Sequence, residues 1–353
     1  MMNWKQLTTT LLALWLLVSP SFAQESRLQV YGFFDLEAEA SNKDAAGKKL
    51  TFDQHHLNII SIFNLDECFR IFSEIEWEHG PKHDPSSASG TIYLARAFLE
   101  YKHSDACQLR GGIFLPPFGL YNERHDATPT FISTILPQSI YGKHLNSVGG
   151  KDRLYAKIVT GFWGLGSVFV NNWGIEYHVY LSNGRGPRPA EKDNNANKGV
   201  GGRLVITPPS GHLRLGMSYY TDRDGNALDS KQSALAWDAE FEYEAFKLTS
   251  ELFIPRGETA DSTGALTGQF RQSLGGYVQG SVTLLERLTP FFRYDYFDND
   301  VDKTKDAERI FTVGINYSIS PKVYLKNELH FHRFGNPNSR GYELYIGSVA
   351  VAF

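Results

Sequence analysis

The segment 309–319, RIFTVGINYSI, alternates between large apolar side chains and small or polar ones. Its odd positions include Phe311 and Val313, whereas Thr312 between them is polar. A β-strand points successive side chains to opposite faces of a sheet, so this pattern predicts a strand with one apolar and one polar face. The same alternation resumes at 322–333 after a short turn.

Fifteen further segments of the chain show a comparable alternation. Most of the sixteen are about 10–13 residues long, which is the length that a tilted strand needs to cross a membrane; strands of soluble proteins average about five or six residues. The sixth segment is the least defined, because 161–166 could extend either neighbour. The predicted strands are 28–40, 50–63, 69–79, 91–103, 106–115, 152–162, 173–183, 198–208, 211–221, 232–244, 246–255, 271–285, 288–299, 307–319, 322–333 and 341–353.

The connections between these segments alternate in length. Those after even-numbered strands are mostly tight, such as Ser320-Pro321, and those after odd-numbered strands are mostly longer and polar, such as 80–90 and 184–197. An outer-membrane barrel with both ends in the periplasm has short turns inside and long loops outside. A soluble sandwich, the alternative, has no reason to keep this parity. The chain is therefore predicted to be all-β, a 16-stranded antiparallel transmembrane β-barrel.

The two ends of the chain favour the same interpretation. Residues 1–23 have one charged side chain, Lys5, a short apolar core and small residues before Ala23, as expected of a secretory signal that is removed after Ala23. Phe353 ends an apolar strand face and is similar to the C-terminal assembly signal of bacterial outer-membrane barrels. We therefore predict one barrel over residues 24–353, located in the bacterial cell outer membrane.

Composition narrows the classes of partner. Removal of Lys5 with the signal takes the formal net charge from −4 to −5, which does not indicate nucleic acid as a partner. The mean hydropathy of −0.32 fits a barrel, because its strands average lipid-facing and lumen-facing residues. Aromatic residues make up 14% of the chain and are expected in two bands at the membrane interfaces. The predicted bands are Phe63, Phe69, Tyr101, Tyr243, Tyr317 and Phe353 on the short-turn side, and Trp77, Tyr93, Tyr219 and Tyr296 on the long-loop side.

The parity of each strand also predicts which charges face the lumen. Acidic residues concentrate on predicted strands 3 and 10, and basic residues on strands 4 to 6 and 8 to 9, so we expect a field across a water-filled channel. The basic candidates are Arg70, Arg96, Arg110, Arg153, Lys157, Arg203, Arg214, Arg293 and Lys326. The acidic candidates are Glu74, Glu76, Glu78, Glu100, Asp238, Glu240, Glu242, Glu251, Asp295 and Glu328.

The longest connection, 116–151, gives the most specific indication of function. It contains the apolar run 131–136, which a disordered loop would lack, so we expect an ordered loop that folds into the lumen as a constriction. The alternative is a loop packed outside the barrel or over a neighbouring subunit. The pore-lining or constriction candidates are Arg70, Arg96, Glu100, Arg110, Arg124, His125, Asp126, Lys143, Arg293 and Asp295.

Several short motifs resemble the phosphate-selective porin O/P-type family of outer-membrane porins. They are VYGFFD at 30–35, RGGIF at 110–114 followed by PFG at 117–119, YHVYLSNG at 177–184 and RYD at 293–295. The resemblance implies a sixteen-stranded, homotrimeric, passive channel. Acidic residues are interleaved with the basic ones in this chain, so the family's phosphate selectivity is not carried over.

The predicted function is a water-filled channel for passive diffusion of small polar or charged solutes, surrounded by outer-membrane lipid. The alternatives are a barrel enzyme of the lipase or protease type and a barrel that acts mainly as a surface scaffold. No spacing pairs His178, His330 or His332 with a nucleophile, and the sequence contains no metal or nucleotide motif, so we expect neither an enzyme nor a cofactor.

The chain has two cysteines, Cys68 and Cys107, which begin predicted strands 3 and 5 beside short periplasmic turns. One strand lies between them, which places the strand axes about 9–10 Å apart. That separation exceeds the usual Cα–Cα limit of about 7 Å for a disulfide unless the two turns lean together. The periplasm is oxidising, however, so we hypothesise a Cys68–Cys107 disulfide.

Overall fold

Every strand of the main sheet pairs with a neighbour on each side, so the sheet closes into a barrel. A computed structural model describes residues 27–43, 48–79, 91–124, 127–184, 193, 195–223 and 228–353. Within them, sixteen antiparallel strands form the barrel, as the sequence predicts. No helix in these described ranges is long and apolar enough to span a membrane.

The strands are numbered here in chain order. They are β1 (Leu28–Ser41), β2 (Lys48–Asn64), β3 (Phe69–Glu78), β4 (Thr91–Ser104), β5 (Cys107–Phe114), β6 (Val159–Val170), β7 (Trp173–Ser182), β8 (Gly199–Thr207), β9 (Leu213–Arg223), β10 (Lys231–Tyr243), β11 (Phe246–Ala260), β12 (Leu266–Gln272 and Leu274–Val282), β13 (Leu288–Asp298), β14 (Ala307–Ser320), β15 (Val323–Phe334) and β16 (Tyr342–Ala352). Tight turns join the strands at the end that holds Phe353, called the short-turn end; the opposite end is the long-loop end.

The first and last strands form the seam of the barrel. β1 and β16 pair from Phe33 opposite Ala352 to Ser41 opposite Leu344. Beyond this ladder, Gly32 and Phe353 exchange two backbone hydrogen bonds of 3.0 and 2.9 Å. The C-terminal residue is therefore part of the sheet, and its side chain is 49% exposed on the outer surface.

The alternation along the strands follows the predicted faces. In β14, Phe311, Val313 and Ile315 are exposed on the outer surface, whereas Ile310 and Thr312 are buried on the inner one. The same holds for β16, where Ile346, Ser348 and Ala350 are buried and the residues between them are partly exposed. The barrel thus presents an apolar outer surface and a polar lumen, as expected of strands that meet lipid on one side.

The sixth strand was predicted incorrectly as 152–162. The observed β6 runs from Val159 to Val170, because it continues far enough to pair Leu165 with Gln108 of β5. A tight turn at Asn171-Asn172, where both residues have positive φ angles, then leads into β7. Residues 151–152 instead pair with 144–145 in a two-residue ladder away from the main sheet.

The hairpin between β11 and β12 is longer than predicted. The stretch 256–270 reads as a polar loop, but β11 continues to Ala260 and pairs with the first part of β12. The turn of this hairpin is organised by Asp261, whose carboxylate accepts hydrogen bonds from the backbone of Thr263 and Ala265. These bonds lower the pKa of the Asp261 carboxyl, led by the bond from the Thr263 hydroxyl.

The first prediction concerns Gly32 at the seam. A β-carbon on this residue would lie 2.4 Å from the Phe353 ring and 2.5 Å from the Asn58 carbonyl oxygen. Gly32→Ala should therefore force the last strand away from β1 and lower the free energy of unfolding by about 1–3 kcal/mol. Urea unfolding of the purified barrel in detergent measures this loss. Gly280→Ala is the control, since its β-carbon would approach Leu248 only to 4.0 Å. Equal stability of the two variants would contradict the account of the seam.

Candidate functional site

Residues 115–158, called the lumen loop, connect β5 to β6, and their described part, 115–124 and 127–158, lies inside the barrel. Phe118 is fully buried; its ring stacks on Tyr155 at 4.6 Å and meets Phe253 of β11 edge-on at 5.9 Å. Phe131, Leu136, Ile140 and Tyr141 of the same loop are also buried in this apolar cluster. The inner faces of several strands complete the cluster with Trp163, Tyr180, Tyr220, Phe253, Tyr277 and Phe297. One side of the lumen is therefore filled by loop side chains rather than by water.

A buried carboxylate anchors the start of the lumen loop. Glu251 of β11 accepts hydrogen bonds from the Leu120 amide at 3.0 Å and from the Tyr141 hydroxyl at 2.8 Å. The Tyr277 hydroxyl donates a third bond to it at 2.9 Å. Gly119 beside Leu120 has a φ angle of +62°, a conformation that glycine adopts without a steric penalty. This turn carries the loop from β5 into the barrel.

A buried lysine holds the middle of the loop from the opposite wall. Lys326 of β15 is fully buried, and its ammonium group donates hydrogen bonds to the carbonyl oxygens of Thr128 at 2.5 Å, Phe131 at 2.8 Å and Ser133 at 3.2 Å. Glu328, two residues along the strand, accepts a bond from the Thr134 amide. Charge-assisted bonds of this kind are stronger than neutral ones, so the segment is fixed against β15.

Arg293 and Asp295, both predicted as pore-lining residues, also hold the loop. The Arg293 guanidinium bonds Asp295 at 2.8 Å and donates to the Ser133 hydroxyl and the Ile135 carbonyl, each at 3.0 Å. Asp295 accepts a bond from the Ser139 hydroxyl at 3.0 Å. Both charged side chains are buried, so they act as anchors of the loop rather than as groups that contact a solute.

The lumen loop separates two cavities. A cavity of about 330 Å³ opens toward the short-turn end, between Pro129–Ile132 and strands β10 to β15; we call it the inner cavity. A cavity of about 620 Å³ lies toward the long-loop end, between the loop and strands β1, β2, β3, β15 and β16; we call it the outer cavity. Thr128 lines the outer cavity and the next four residues line the inner one, so this short segment lies between them.

The two sides of the outer cavity differ in charge. The loop contributes four basic side chains, and the wall contributes two carboxylates and four imidazoles. The basic residues are Lys143, Lys151, Arg153 and Lys157, and the wall residues are Glu37, Glu78, His55, His56, His330 and His332. Basic charge on the loop therefore faces carboxylates of β1 and β3 across the outer cavity. This arrangement differs from the predicted field between two walls of the barrel, because the basic side is the loop.

The wall charges that suggested such a field are neutralised by their neighbours. Glu100 of β4 bonds the guanidinium groups of Arg70 at 2.5 Å and Arg110 at 2.6 Å, and Arg96 pairs with Glu74 one strand away. Two further pairs form across an intervening strand: Arg203 of β8 with Asp238 of β10, and Arg214 of β9 with Glu176 of β7. Opposite charges thus lie within hydrogen-bond reach of each other on the wall, so most of these charges cancel locally.

The remaining predicted constriction residues do not come together. Arg124 lines the inner cavity, where its guanidinium donates to the Leu120 carbonyl at 3.3 Å. Lys143 is exposed in the outer cavity on the other side of the loop. His125 and Asp126 fall outside the described residues.

The surroundings of Glu123 and of His144 in the lumen loop shift the pKa values of these two side chains. Loss of solvation raises the pKa of the Glu123 carboxyl, and the guanidinium groups of Arg110 and Arg203 oppose that shift. Arg96 also donates to the Glu123 carbonyl oxygen at 3.2 Å. Burial lowers the pKa of His144 to about 4, so its ring, which stacks on Phe297 at 3.5 Å, is neutral at pH 7.

The predicted disulfide is absent, because Cys68 and Cys107 are both free and exposed. β4 lies between them: the Lys102 amide donates to the Cys68 carbonyl at 2.8 Å, and Ser104 pairs with Cys107. Two inter-strand spacings place the cysteine backbones about 9–10 Å apart, which is too far for a disulfide without backbone movement.

Sequence reasoning missed several residues that shape the cavities. His55 and His56 are adjacent on one strand, so alternation alone would put them on opposite faces, but both line the outer cavity. Lys326 was assigned to the lumen, yet nothing in its parity indicated that it binds the loop. Arg153 and Lys157 were placed on a strand; they lie on the lumen loop, which extends to residue 158.

Comparison with known proteins shows similarity at low sequence identity. No family model matches the chain. An uncharacterized protein of Aquifex aeolicus (strain VF5) is 26% identical over 340 residues, which cover 82% of this chain and 72% of that protein. This identity shows a resemblance without assigning the chain to a characterised family.

Solved outer-membrane barrels share the fold. An anion-selective porin from Comamonas acidovorans superposes with a TM-score of 0.67 at 12% identity, covering 92% of this chain and 99% of the porin. OmpT of Vibrio cholerae, as a loop L8 deletion mutant, gives 0.63 at 10% identity with the same two coverages. The outer membrane channel DcaP of Acinetobacter baumannii gives 0.58 at 12% identity, covering 92% of this chain and 97% of DcaP. At such low sequence identities, the structural similarity shows that these proteins share the fold.

The lysine anchor generates the second prediction. Lys326→Met keeps a long side chain but removes the ammonium group, which leaves the three loop carbonyls without their shared donor. We expect the free energy of unfolding to fall by about 3 kcal/mol, because one partner of a buried charged network is lost. Urea unfolding measures this loss, and protease cleavage within 128–135 should become faster because the segment is released.

Lys322→Met, in the exposed turn before β15, is the matched control and should leave both measurements unchanged. Protection of 128–135 in Lys326→Met equal to that of the unaltered chain would contradict an anchoring role for Lys326.

Proposed function

We propose that this protein is a porin of the bacterial outer membrane, a water-filled channel through which small polar or charged solutes diffuse passively. The observation that carries the proposal is the divided lumen: charged cavities open toward the two ends of the barrel, and a loop fixed to the inner wall narrows the space between them. Sixteen strands enclose a lumen too wide for wall side chains alone to fill. A loop is therefore needed to set the limiting width.

The apolar outer surface supports location in a membrane, and the printed descriptions of the structural neighbours support the class of channel. Those descriptions include an anion-selective porin and an outer membrane channel. OmpT of Vibrio cholerae has been solved in a trimer form, and we propose a homotrimer for this chain as well.

A barrel enzyme is the second candidate, and one arrangement favours it. The Thr312 hydroxyl lies 2.9 Å from His330 Nδ1, and His330 Nε2 lies 3.1 Å from Glu328 Oε2, in the order of a nucleophile, a base and an acid. Thr312 is fully buried, however, and Glu328 also holds the Thr134 amide of the lumen loop. A nucleophile without access to substrate does not support catalysis, so we propose a channel rather than an enzyme.

The outer cavity generates the third prediction. Lys143→Glu combined with Lys151→Glu reverses two of its four basic charges without touching the loop anchors. The unaltered channel should prefer neither ion sign strongly, because the basic loop faces a wall of carboxylates. The double variant should shift the reversal potential in a salt gradient toward cation selectivity.

Lys303→Glu, in the exposed connection between β13 and β14, controls for a general effect of charge at the long-loop end. It should change the reversal potential less than the double variant does. Purified protein that inserts into planar bilayers without conducting would overturn the proposed channel. An unchanged reversal potential in a conducting double variant would place the solute path elsewhere.

A further inference from the structure

The wall of the outer cavity contains two adjacent histidines that face the same side. Across β1 and β2, Asp35 pairs with His56, but the next residue of β1, Leu36, pairs with Gln54. His55 is therefore the extra residue of a β-bulge, which redirects its side chain. The His55 and His56 rings stack with their centroids 3.9 Å apart, and both line the outer cavity.

His56 stands in a row of side chains that crosses three strands. It pairs with Asp35 of β1 on one side and with Glu78 of β3 on the other. Directly paired residues of an antiparallel sheet have β-carbons about 4.5–5.5 Å apart, which brings their polar ends together. Glu76, two residues from Glu78 on the same face, has a carboxylate oxygen 3.9 Å from His56 Nε2.

The two nitrogens of His56 have different surroundings. Nδ1 lies 3.0 Å from Asp35 Oδ1, and a carboxylate can only accept here, so the proton is on Nδ1 when the ring is neutral. Nε2 then presents its lone pair toward the carboxylates of β3. A carboxylate that fixes the outer nitrogen of a ligating histidine is the usual second layer of a metal site.

The row also contains a buried acid that is incompletely satisfied. Asp35 is fully buried, and its second carboxylate oxygen, Oδ2, has no hydrogen-bond partner among the described residues. A buried carboxylate of this kind is costly unless positive charge is near. A cation bound to His56 would supply that charge one imidazole away.

We propose that His56 Nε2, Glu76 and Glu78 form a binding site for a divalent transition metal of the zinc class, with Asp35 orienting His56. The ligand atoms of these three residues lie within 4.8 Å of one another. A tetrahedral zinc ion with ligands at about 2.0–2.1 Å needs them about 3.4 Å apart, so small side-chain rotations close the site. One nitrogen with two carboxylates suits zinc and copper better than calcium, which prefers oxygen ligands alone.

Neighbouring groups extend the set of possible ligands. His55 joins Asp35 and His56 in a second group within the same limit, and His55, Glu78 and His79 form a third. The shared members place all three groups along one wall of the outer cavity. Three protein ligands would leave an ion at the primary site one further tetrahedral position, which water can fill.

Metal binding would change the channel, and this consequence rests on the proposed function. A divalent ion at Glu76 and Glu78 neutralises acidic charge opposite the basic loop. The outer cavity then becomes more positive and narrower, so cation conductance should fall.

The fourth prediction tests binding without any dependence on conduction. Purified barrel in detergent is titrated with ZnCl₂ by calorimetry, and we expect one tightly bound ion per chain. His56→Gln should weaken binding by more than tenfold, and Asp35→Asn by about tenfold through loss of the orienting carboxylate. His332→Gln is the matched control, because His332 lines the same cavity but bonds Glu308 instead.

A second measurement uses the unaltered chain and does not depend on how the variants fold. With one equivalent of Cu²⁺, electron paramagnetic resonance should show coupling to an imidazole nitrogen. The absence of zinc binding, equal binding by His56→Gln and the unaltered chain, or a copper spectrum with oxygen ligands only would each overturn the site. Zinc binding without an effect on the conductance of a conducting barrel would retain the site and count against a solute path that passes beside it.

Discussion

Closure of the sheet between β1 and β16 is the constraint on which the rest of this structure depends. Hydrocarbon offers no hydrogen bonds, so an unpaired strand edge there would cost several kcal/mol for each polar group. Pairing along the seam removes both edges, and the backbone hydrogen bonds between Gly32 and Phe353 extend this pairing to the last residue. Once the sheet is closed, each strand has one face toward lipid and one toward the lumen.

The closed barrel creates a second requirement, because a lumen of sixteen strands is too wide to be filled by wall side chains. The lumen loop fills part of this space, and it fills one side of the barrel more than the other. Its aromatic side chains pack against β6 to β13, where Arg293 of β13 also holds its middle, and Lys326 and Glu328 of β15 hold the middle from the other side. The space that remains at the long-loop end lies beside β1 to β3, where Asp35 and His56 form their row. The same asymmetry therefore locates the proposed solute path and the proposed metal site.

The sequence predicts the barrel well because its strongest signal, two-residue alternation, is local. The parity of β14 and β16 needed only the residues of each strand. The prediction of the sixth strand failed because 161–166 could extend either the segment before it or the one after it. Only its pairing with β5 fixes its place. Parity also assigns a face without assigning a partner. It placed Lys326 in the lumen but could not show that three loop carbonyls surround its ammonium group.

Long-range geometry accounts for the other misses. A bulge puts His55 beside His56, and a bulge changes the register with no marker in the residues themselves. The Cys68–Cys107 hypothesis relied on two turns leaning together, but β4 pairs with both cysteine-bearing segments from between them and both thiols are free. Apolar content predicted an ordered connection after β5, but only contacts with the inner wall show where it lies.

Thiol modification of one loop position in a conducting channel tests the central claim most directly. In a chain with Cys68→Ser and Cys107→Ser, Lys143→Cys places the only thiol in the outer cavity. A charged methanethiosulfonate reagent added during a single-channel recording should then reduce the current in discrete steps. Lys303→Cys in the same background should respond weakly, because that residue lies in the exposed connection after β13. A Lys143→Cys channel that is fully labelled, as shown by mass spectrometry, yet conducts as before would contradict a pore that passes between the lumen loop and β1 to β3.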